Sequence, residues 1–337
     1  MDAHWVFLDK FIVLDHLKQR CYLVMIVPQP HTKPDTSWLK TMEQQIHTLS
    51  SVSSFTSESP RSVQGSWLQD PDTYRACIQR CLECIAAGES YEICLTNQLQ
   101  FSQTIDPLRF YHQLRQTHPA PHAAYFKLGD LAIACSSMER FLSIDAQRTI
   151  QAKPIKGTTA RGKTAQADQA LASALRQDEK FQAEHVMIVD LLRNDLGKIC
   201  HIGSIDVPDL MQVETYATVH QLVSRITGQL RPDLDVIDCI QSIFPGGSMT
   251  GAPKIRSMTL INQIETQARG IYSGSLGYIS LNGTTDLNII IRTAIITADH
   301  IRIGAGGAII ALSDPNEEFA EMELKTQALR KALEWMA

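Results

Sequence analysis

The loop Phe244 to Lys254, FPGGSMTGAPK, sets Gly246, Gly247 and Gly251 beside Ser248 and Thr250 and leads into a helix that can open at Pro253. Such a loop offers backbone N–H groups and a helix N-terminus to an anion. It is not a phosphate-binding P-loop, because Ala252 and Pro253 follow Gly251 where Lys and Ser or Thr would be needed. A tight strand-to-helix turn is the alternative. A second cluster, Gly304, Ala305, Gly306 and Gly307, lies between two β runs, where glycines mark close approach of another backbone or a ligand. Glu184 sits in AEHVMIVDLLRNDLG, and Glu318 and Glu321 in EEFAEMELK are three residues apart, hence on one helical face. Carboxylates so placed can give oxygen ligands to a hard cation such as Mg²⁺, which needs only one or two beside substrate oxygens and water; solvated helix charge is the competing reading. Cys77, Cys81 and Cys84 follow helical spacing and contain a lone C-x-x-C. Without a matching second cluster they read as small core residues rather than a zinc or iron–sulfur site. His220 is a single imidazole in a β-like stretch and alone reads as structural.

These residues have to be held by elements that the patterning outlines. Short apolar runs at Trp5 to Leu8, Phe11 to Leu14 and Cys21 to Val27 read as strands, followed by a helix from about Asp35 to Leu49. The Ser-rich stretch from Ser50 to Ser66 reads as a linker or mobile loop, which gives a short strand-rich N-terminal segment over 1–70, expected to be part of the same sandwich, and a main region over 71–337. From Pro71 a helix runs to Ala87 and stops at Gly88, and a strand spans Glu92 to Phe101. Further strands are expected at Ala123 to Leu128, Leu131 to Cys135 and Thr149 to Ala152, with helices at Ala165 to Leu175 and Phe181 to Asp195. β-rich segments between Ser204 and Thr227, helices at Asp233 to Ile243 and Pro253 to Gln267, strands from Ser275 to Ile310 and a helix from Pro315 complete the outline. Strands come in blocks, which favours an α+β sandwich over a doubly wound parallel sheet.

The 337 residues carry a net charge of −5 and a pI near 6.1, so no overall basic field is present to hold nucleic acid. Asp2, Asp9 and Lys10 interrupt the start where an export signal would need an apolar run, and Arg292 breaks the apolar stretch Leu287 to Thr297. A soluble cytoplasmic protein with reduced thiols is expected.

Taken together, the stretches GESYEICLTNQL, SSMERFL, PIKGT, EHVMIVDLLRNDLG, TVHQLVSRITG, FPGGSMTGAPKIRSM, YSGSLGYISLNGTTDLNIIIRTAII and GAGGAI with EEFAEMELKTQAL resemble, in order, the chorismate-utilising family. That family contains anthranilate synthase component I, isochorismate and salicylate synthases, and aminodeoxychorismate synthase component I. The resemblance implies a large α/β sandwich of two β-sheets with outer helices. Anthranilate synthases resemble PIAGT where this chain has PIKGT, which is the aminodeoxychorismate synthase pattern, so Lys156 is the implied nucleophile toward C2 of chorismate. A lysine must be neutral to attack, and burial or a nearby cation is expected to lower its pKa.

The remaining roles follow from the same resemblance. Glu139 would be the general acid toward the departing C4 hydroxyl, and Glu184, Glu318 and Glu321 would hold Mg²⁺ against the ring carboxylate. Tyr272, Arg292 and the backbone of Gly304, Ala305, Gly306 and Gly307 would bind the enolpyruvyl carboxylate, with His220, Ser248 and Lys325 lining the pocket. The implied product is 4-amino-4-deoxychorismate, a precursor of 4-aminobenzoate and folate. Ammonia would come from a separate glutamine amidotransferase, since no G-x-C-x-G segment occurs in this chain. Met138 stands where relatives commonly have Pro, and the absence of a Leu-Leu-Glu-Ser element leaves no expectation of regulation by tryptophan. Competing readings are anthranilate synthase component I, a non-catalytic chorismate-binding subunit and a thiol–metal protein.

Overall fold

The computed structural model describes residues 3–27, 35–49, 62–216 and 219–336. The chain forms two compact units, Met1–Ser57 and Glu58–Ala337. In the first, β1 (Lys10–Asp15) and β2 (Arg20–Met25) make an antiparallel hairpin with Lys10 opposite Met25, and α1 (Ser37–Thr48) follows. Trp5 to Leu8 is not a strand: the run has no strand partner among the described residues, and apolar character alone does not satisfy its backbone. Of the Ser-rich stretch 50–66, residues 50–61 lie outside the described residues.

The second unit contains, in chain order, β3 (Ser66–Trp67), α2 (Pro71–Ala86), β4 (Glu92–Phe101), α3 (Pro107–Thr117), β5 (His122–Leu128), β6 (Leu131–Ser137), β7 (Arg140–Ile144) and β8 (Thr149–Lys153). Then come β9 (Ile155–Ala160), α4 (Ala165–Gln177), α5 (Glu179–Gly197), β10 (Asp206–Thr215), β11 (Val219–Gln229), α6 (Val236–Ile243), β12 (Gly251–Ala252) and α7 (Lys254–Ile264). The unit ends with β13 (Ser275–Ile279), β14 (Thr285–Ile289), β15 (Thr293–Ile296), β16 (Ile301–Ile309) and α8 (Pro315–Glu334).

Three of these helices start on the same signal. Asp70, Asp106 and Asp314 each precede a proline, and each side chain accepts two backbone N–H groups of the first turn. Proline fixes the helical φ where its missing N–H costs nothing, and aspartate caps the donors left open. One sheet runs β10-β11-β8-β7-β14-β13 with β9 also paired to β11; the other runs β12-β4-β16-β15-β6-β5 with β3 also paired to β4. The ladders are antiparallel throughout, as the blocked strands imply.

Helices cover the outer faces. Ile188, Leu192 and Leu196 of α5 and Ile243 of α6 pack on Leu142, Ile150, Ile226 and Ile289 of the first sheet. Phe110 and Leu114 of α3 join Leu329 and Leu333 of α8 on Leu99, Ile296 and Ile303 of the second, while α2 and α7 bury Tyr74, Ile78 and Leu260 against Ile93 and Leu95. The sheets meet between these layers. Cys94 of β4 packs in the cluster of Leu142 and Ile289, and the Asn288 amide of β14 donates to the His122 carbonyl of β5 at 2.8 Å. This is a two-sheet α+β sandwich, and its inner faces carry the polar residues that follow.

Candidate active site

Strand alternation sorts β4 into two faces. Ile93 and Leu95 point into the helix-covered core, so Glu92, Cys94 and Thr96 share the opposite face. Glu92 is fully buried, and its Oε1 accepts a hydrogen bond from Lys156 Nζ of β9 at 2.9 Å. Glu184 of α5 places Oε2 3.8 Å from the same nitrogen. Burial alone would lower the Lys156 ammonium, yet Glu92 and Glu184 outweigh it and push the lysine above its ordinary value. The expectation of a lowered lysine is therefore corrected: the resting group is an ammonium clamped between two carboxylates. Sequence reasoning gave Glu92 no role. A buried carboxylate at the head of an apolar strand, in phase with Cys94, was the available signal, because such a charge requires a partner.

Glu139, between β6 and β7, is buried, and burial lifts its carboxyl to about 7 against opposing contributions from Ser248 and Lys156. Ser248 reaches it from the Gly-rich loop, which is a turn rather than a phosphate cradle. Cys94 N–H donates to the Thr250 carbonyl at 3.0 Å, Tyr91 N–H to the Ala252 carbonyl at 2.8 Å, and β12 pairs with the start of β4. Gly251 has φ +126°, and a Cβ there would lie 2.0 Å from the Glu92 carbonyl oxygen, so only glycine lets the loop seat this closely. Lys254 at its end is taken up by Asp195 and the Ile243 carbonyl.

The three expected metal-binding carboxylates each face a lysine. Glu184 has Lys156; Glu318 accepts from Lys180 and from Ser313 at 2.8 and 2.7 Å; Glu321 pairs with Lys325 at 2.8 Å. Glu318 is buried, so it is no solvated helix charge, whereas Glu321 is half exposed. Burial and the neighbouring carboxylates Glu92 and Glu318 lift Glu184 to about 7 in spite of Lys156 and Lys180. Mutual repulsion of this kind is what a divalent cation relieves, and hard carboxylate oxygens are the donors Mg²⁺ takes. Among the described residues no group of three His, Cys, Asp or Glu is drawn together around one point. The donor chemistry fits a cation, with lysine ammonium groups supplying the compensating charge in this structure.

On β16, paired beside β4 in the same sheet, Gly304 is obligatory, since a Cβ would stand 2.2 Å from the Tyr272 ring. The Ala305 methyl faces away into the core with Ile93 and Leu95. Lys325 Nζ donates to the Gly306 carbonyl at 2.8 Å, and a Cβ on Gly307 would lie 3.1 Å from Glu318 Oε2. Pairing of β16 with β15 ends at Ile303, so along Gly304 to Gly307 only the β4 side is laddered by the described strands, and amides on the other edge are open to an anion. Arg292, just before β15, is half-buried with φ +51° and donates to the Lys325 carbonyl. It has no ion pair among the described residues, and a half-buried guanidinium without a carboxylate is suited to an anionic ligand.

His220, expected to line this pocket, has its Nε2 2.8 Å from Asp168 of α4 and its Nδ1 2.9 Å from Thr215 Oγ1, with Arg161 on the same aspartate. Met138, ahead of Glu139, is held by the Gln221 amide at 2.7 Å. Cys77 and Cys81 are buried in the core of α2, with Cys84 packed against it, and burial pushes the first two thiols up.

Residues 1–331 match a family profile described as chorismate binding enzyme. The aminodeoxychorismate synthase, chloroplastic, of Arabidopsis thaliana is 45% identical over 98% of this chain and 37% of its own length. Aminodeoxychorismate synthase component 1 of Bacillus subtilis is 33% identical, with 99% of this chain and 71% of that protein aligned. The crystal structure of anthranilate synthase component I from Streptococcus pneumoniae superposes with a TM-score of 0.84 at 29% identity, covering 96% of this chain and 72% of that one. The chain thus spans well under half the length of the plant relative.

Proposed function

The chain belongs to the chorismate-binding enzyme family, and from that premise we propose that it is the chorismate-aminating component of an aminodeoxychorismate synthase, converting chorismate and ammonia to 4-amino-4-deoxychorismate and water. The observation that carries this reading is Lys156, a primary amine in PIKGT with 10% of its side chain exposed, held 2.9 Å from Glu92, with the protonatable Glu139 acting on the same electrostatic neighbourhood.

In the proposed sequence Lys156 Nζ adds to C2, the diene electrons shift, and the C4–O bond breaks. Glu139 gives its proton to the departing hydroxyl, which leaves as water. Ammonia then adds at C4, the electrons return through the ring, and the C2–N bond to Lys156 breaks. Each displacement trades one bond for another, so no oxidant or reductant is needed. The acid is in the right state, because a carboxyl titrating at about 7 keeps its proton near neutrality. Lys156 must shed a proton to add, and the carboxylates of Glu92 and Glu184 stand within 4 Å to accept it.

Arg292 and the open amides of Gly304 to Gly307, with Tyr272 against Gly304, are proposed to take the enolpyruvyl carboxylate. Lys325 fixes the Gly306 carbonyl and Ser248 holds Glu139. Glu184, Glu318 and Glu321 would hold Mg²⁺, which when bound supplies positive charge for the ring carboxylate. The proposal includes a glutamine amidotransferase partner as ammonia source and a cytoplasmic setting; among the described residues no helix is long and apolar enough to cross a membrane. The test is product identification with chorismate, Mg²⁺ and either ammonium or glutamine. Ammonium should give 4-amino-4-deoxychorismate, and glutamine alone nothing. Anthranilate with pyruvate as the main products would overturn the assignment.

A further inference from the structure

We propose that Glu92 is the positioning residue for Lys156: its carboxylate, locked at the head of β4, holds the lysine Nζ at the point from which it adds to the substrate. The inference deepens the reading of Lys156 as the nucleophile and rests on it. A lysine stem carries four flexible carbons and loses rotamer entropy when fixed, so a reactive lysine needs an anchor at its tip. Among the described residues the only hydrogen bond from Lys156 Nζ is the one to Glu92 Oε1; Glu184 at 3.8 Å lies outside hydrogen-bond range.

The anchor itself is bracketed. The Glu92 carbonyl accepts from Ser90 Oγ at 2.9 Å and Ser257 Oγ at 3.2 Å, and these two hydroxyls lie 2.9 Å apart. Glu92 pairs with Ala252, and Gly251 closes against its carbonyl at a distance no side chain would tolerate. The loop that carries Ser248 to Glu139 therefore also pins Glu92, so acid and nucleophile take their positions from one scaffold. Among the described residues Glu92 Oε2 is buried with no hydrogen-bond partner, a cost that a purely structural carboxylate would be expected to avoid.

Full-length Glu92→Ala and Glu92→Gln would be compared with wild type by steady-state kinetics with chorismate, ammonium and Mg²⁺, and by crystal structures. For Glu92→Ala, kcat should fall about 100-fold or more while KM for chorismate changes less than about threefold, because misplacing a reacting group by about 1 Å costs on that order. Glu92→Gln keeps an acceptor oxygen at the same place, so it should recover at least about tenfold of that loss. In the alanine structure Lys156 Nζ should leave its position and close on Glu184; in the glutamine structure it should stay. Wild-type kcat in Glu92→Ala, an unmoved Lys156, or a glutamine variant as impaired as the alanine variant would overturn the proposal. Should the alanine variant not fold, the glutamine variant decides: its lysine must remain in place, and a displaced Nζ overturns the idea. A wild-type chain that forms no 4-amino-4-deoxychorismate would defeat the functional reading instead, while the two structures still decide whether Glu92 holds Lys156.

Discussion

Replacing Glu139 by glutamine should make the protein more stable and less active at once. Glu139 is buried, and its carboxyl titrates at about 7 rather than near the 4.5 of a free glutamate. The folded chain therefore keeps a proton, between those two values, that the unfolded chain has already lost. Stability then falls as pH rises from about 4.5 to about 7, and the deficit is complete above that range. At 1.36 kcal/mol per tenfold change in proton affinity, ionisable Glu139 costs about 3 kcal/mol at pH of about 8 and under about 1 kcal/mol at pH of about 5. Glutamine has no such titration, so urea denaturation should show Glu139→Gln more stable than wild type by a margin that grows between those two conditions. Its rate of chorismate amination should fall about 10²- to 10⁴-fold, the range for loss of a general acid, and the wild-type rate itself should decline as pH passes about 7. A stability difference that is the same at both pH values would refute the buried, proton-holding carboxyl. An unimpaired rate would refute its role as acid.

Two further outcomes follow from the same geometry. Because Glu184, Glu318 and Glu321 now rest on lysines, excess chelator should abolish activity without unfolding the chain, and isothermal titration should show Mg²⁺ and chorismate each tightening the other's binding; full activity in chelator would contradict this. Gly304→Ala drives a methyl to 2.2 Å from the Tyr272 ring, so thermal unfolding should register a loss of about 1–3 kcal/mol and KM for chorismate should rise, whereas an unchanged melting temperature would mean that the ring is free to move.

Much of this scaffold is legible in the residue order. Pro71 with Gly88 brackets α2, and the alternation from Glu92 to Phe101 marks β4 to the residue. α3 carries the same Asp-Pro start as α2 and α8, yet its 11 residues include Arg109, His112, Gln113 and Arg115, and the sequence outline assigns so polar a segment no element. For the site, the ordered motifs single out Lys156 and Glu139 only through the family resemblance that they carry together, whereas the glycine strand also stands out by composition. What sequence cannot supply is which charges face one another across the sandwich. Glu92 and Lys156 are 64 residues apart on strands of different sheets, β4 and β9, so the charge of the lysine is set by a contact that no local pattern shows. The partner of His220 is hidden for the same reason: Asp168 of α4 is 52 residues away, and nothing local announces that it meets the imidazole.

The central claim is covalent participation of Lys156. The most direct measurement is mass spectrometry of the chain after brief exposure to chorismate and Mg²⁺ without ammonia, followed by acid quench and peptide mapping. The account expects an adduct of chorismate minus water on the peptide containing Lys156, absent in Lys156→Ala and discharged to 4-amino-4-deoxychorismate when ammonium is added. An unmodified Lys156 together with wild-type amination by Lys156→Ala would contradict it.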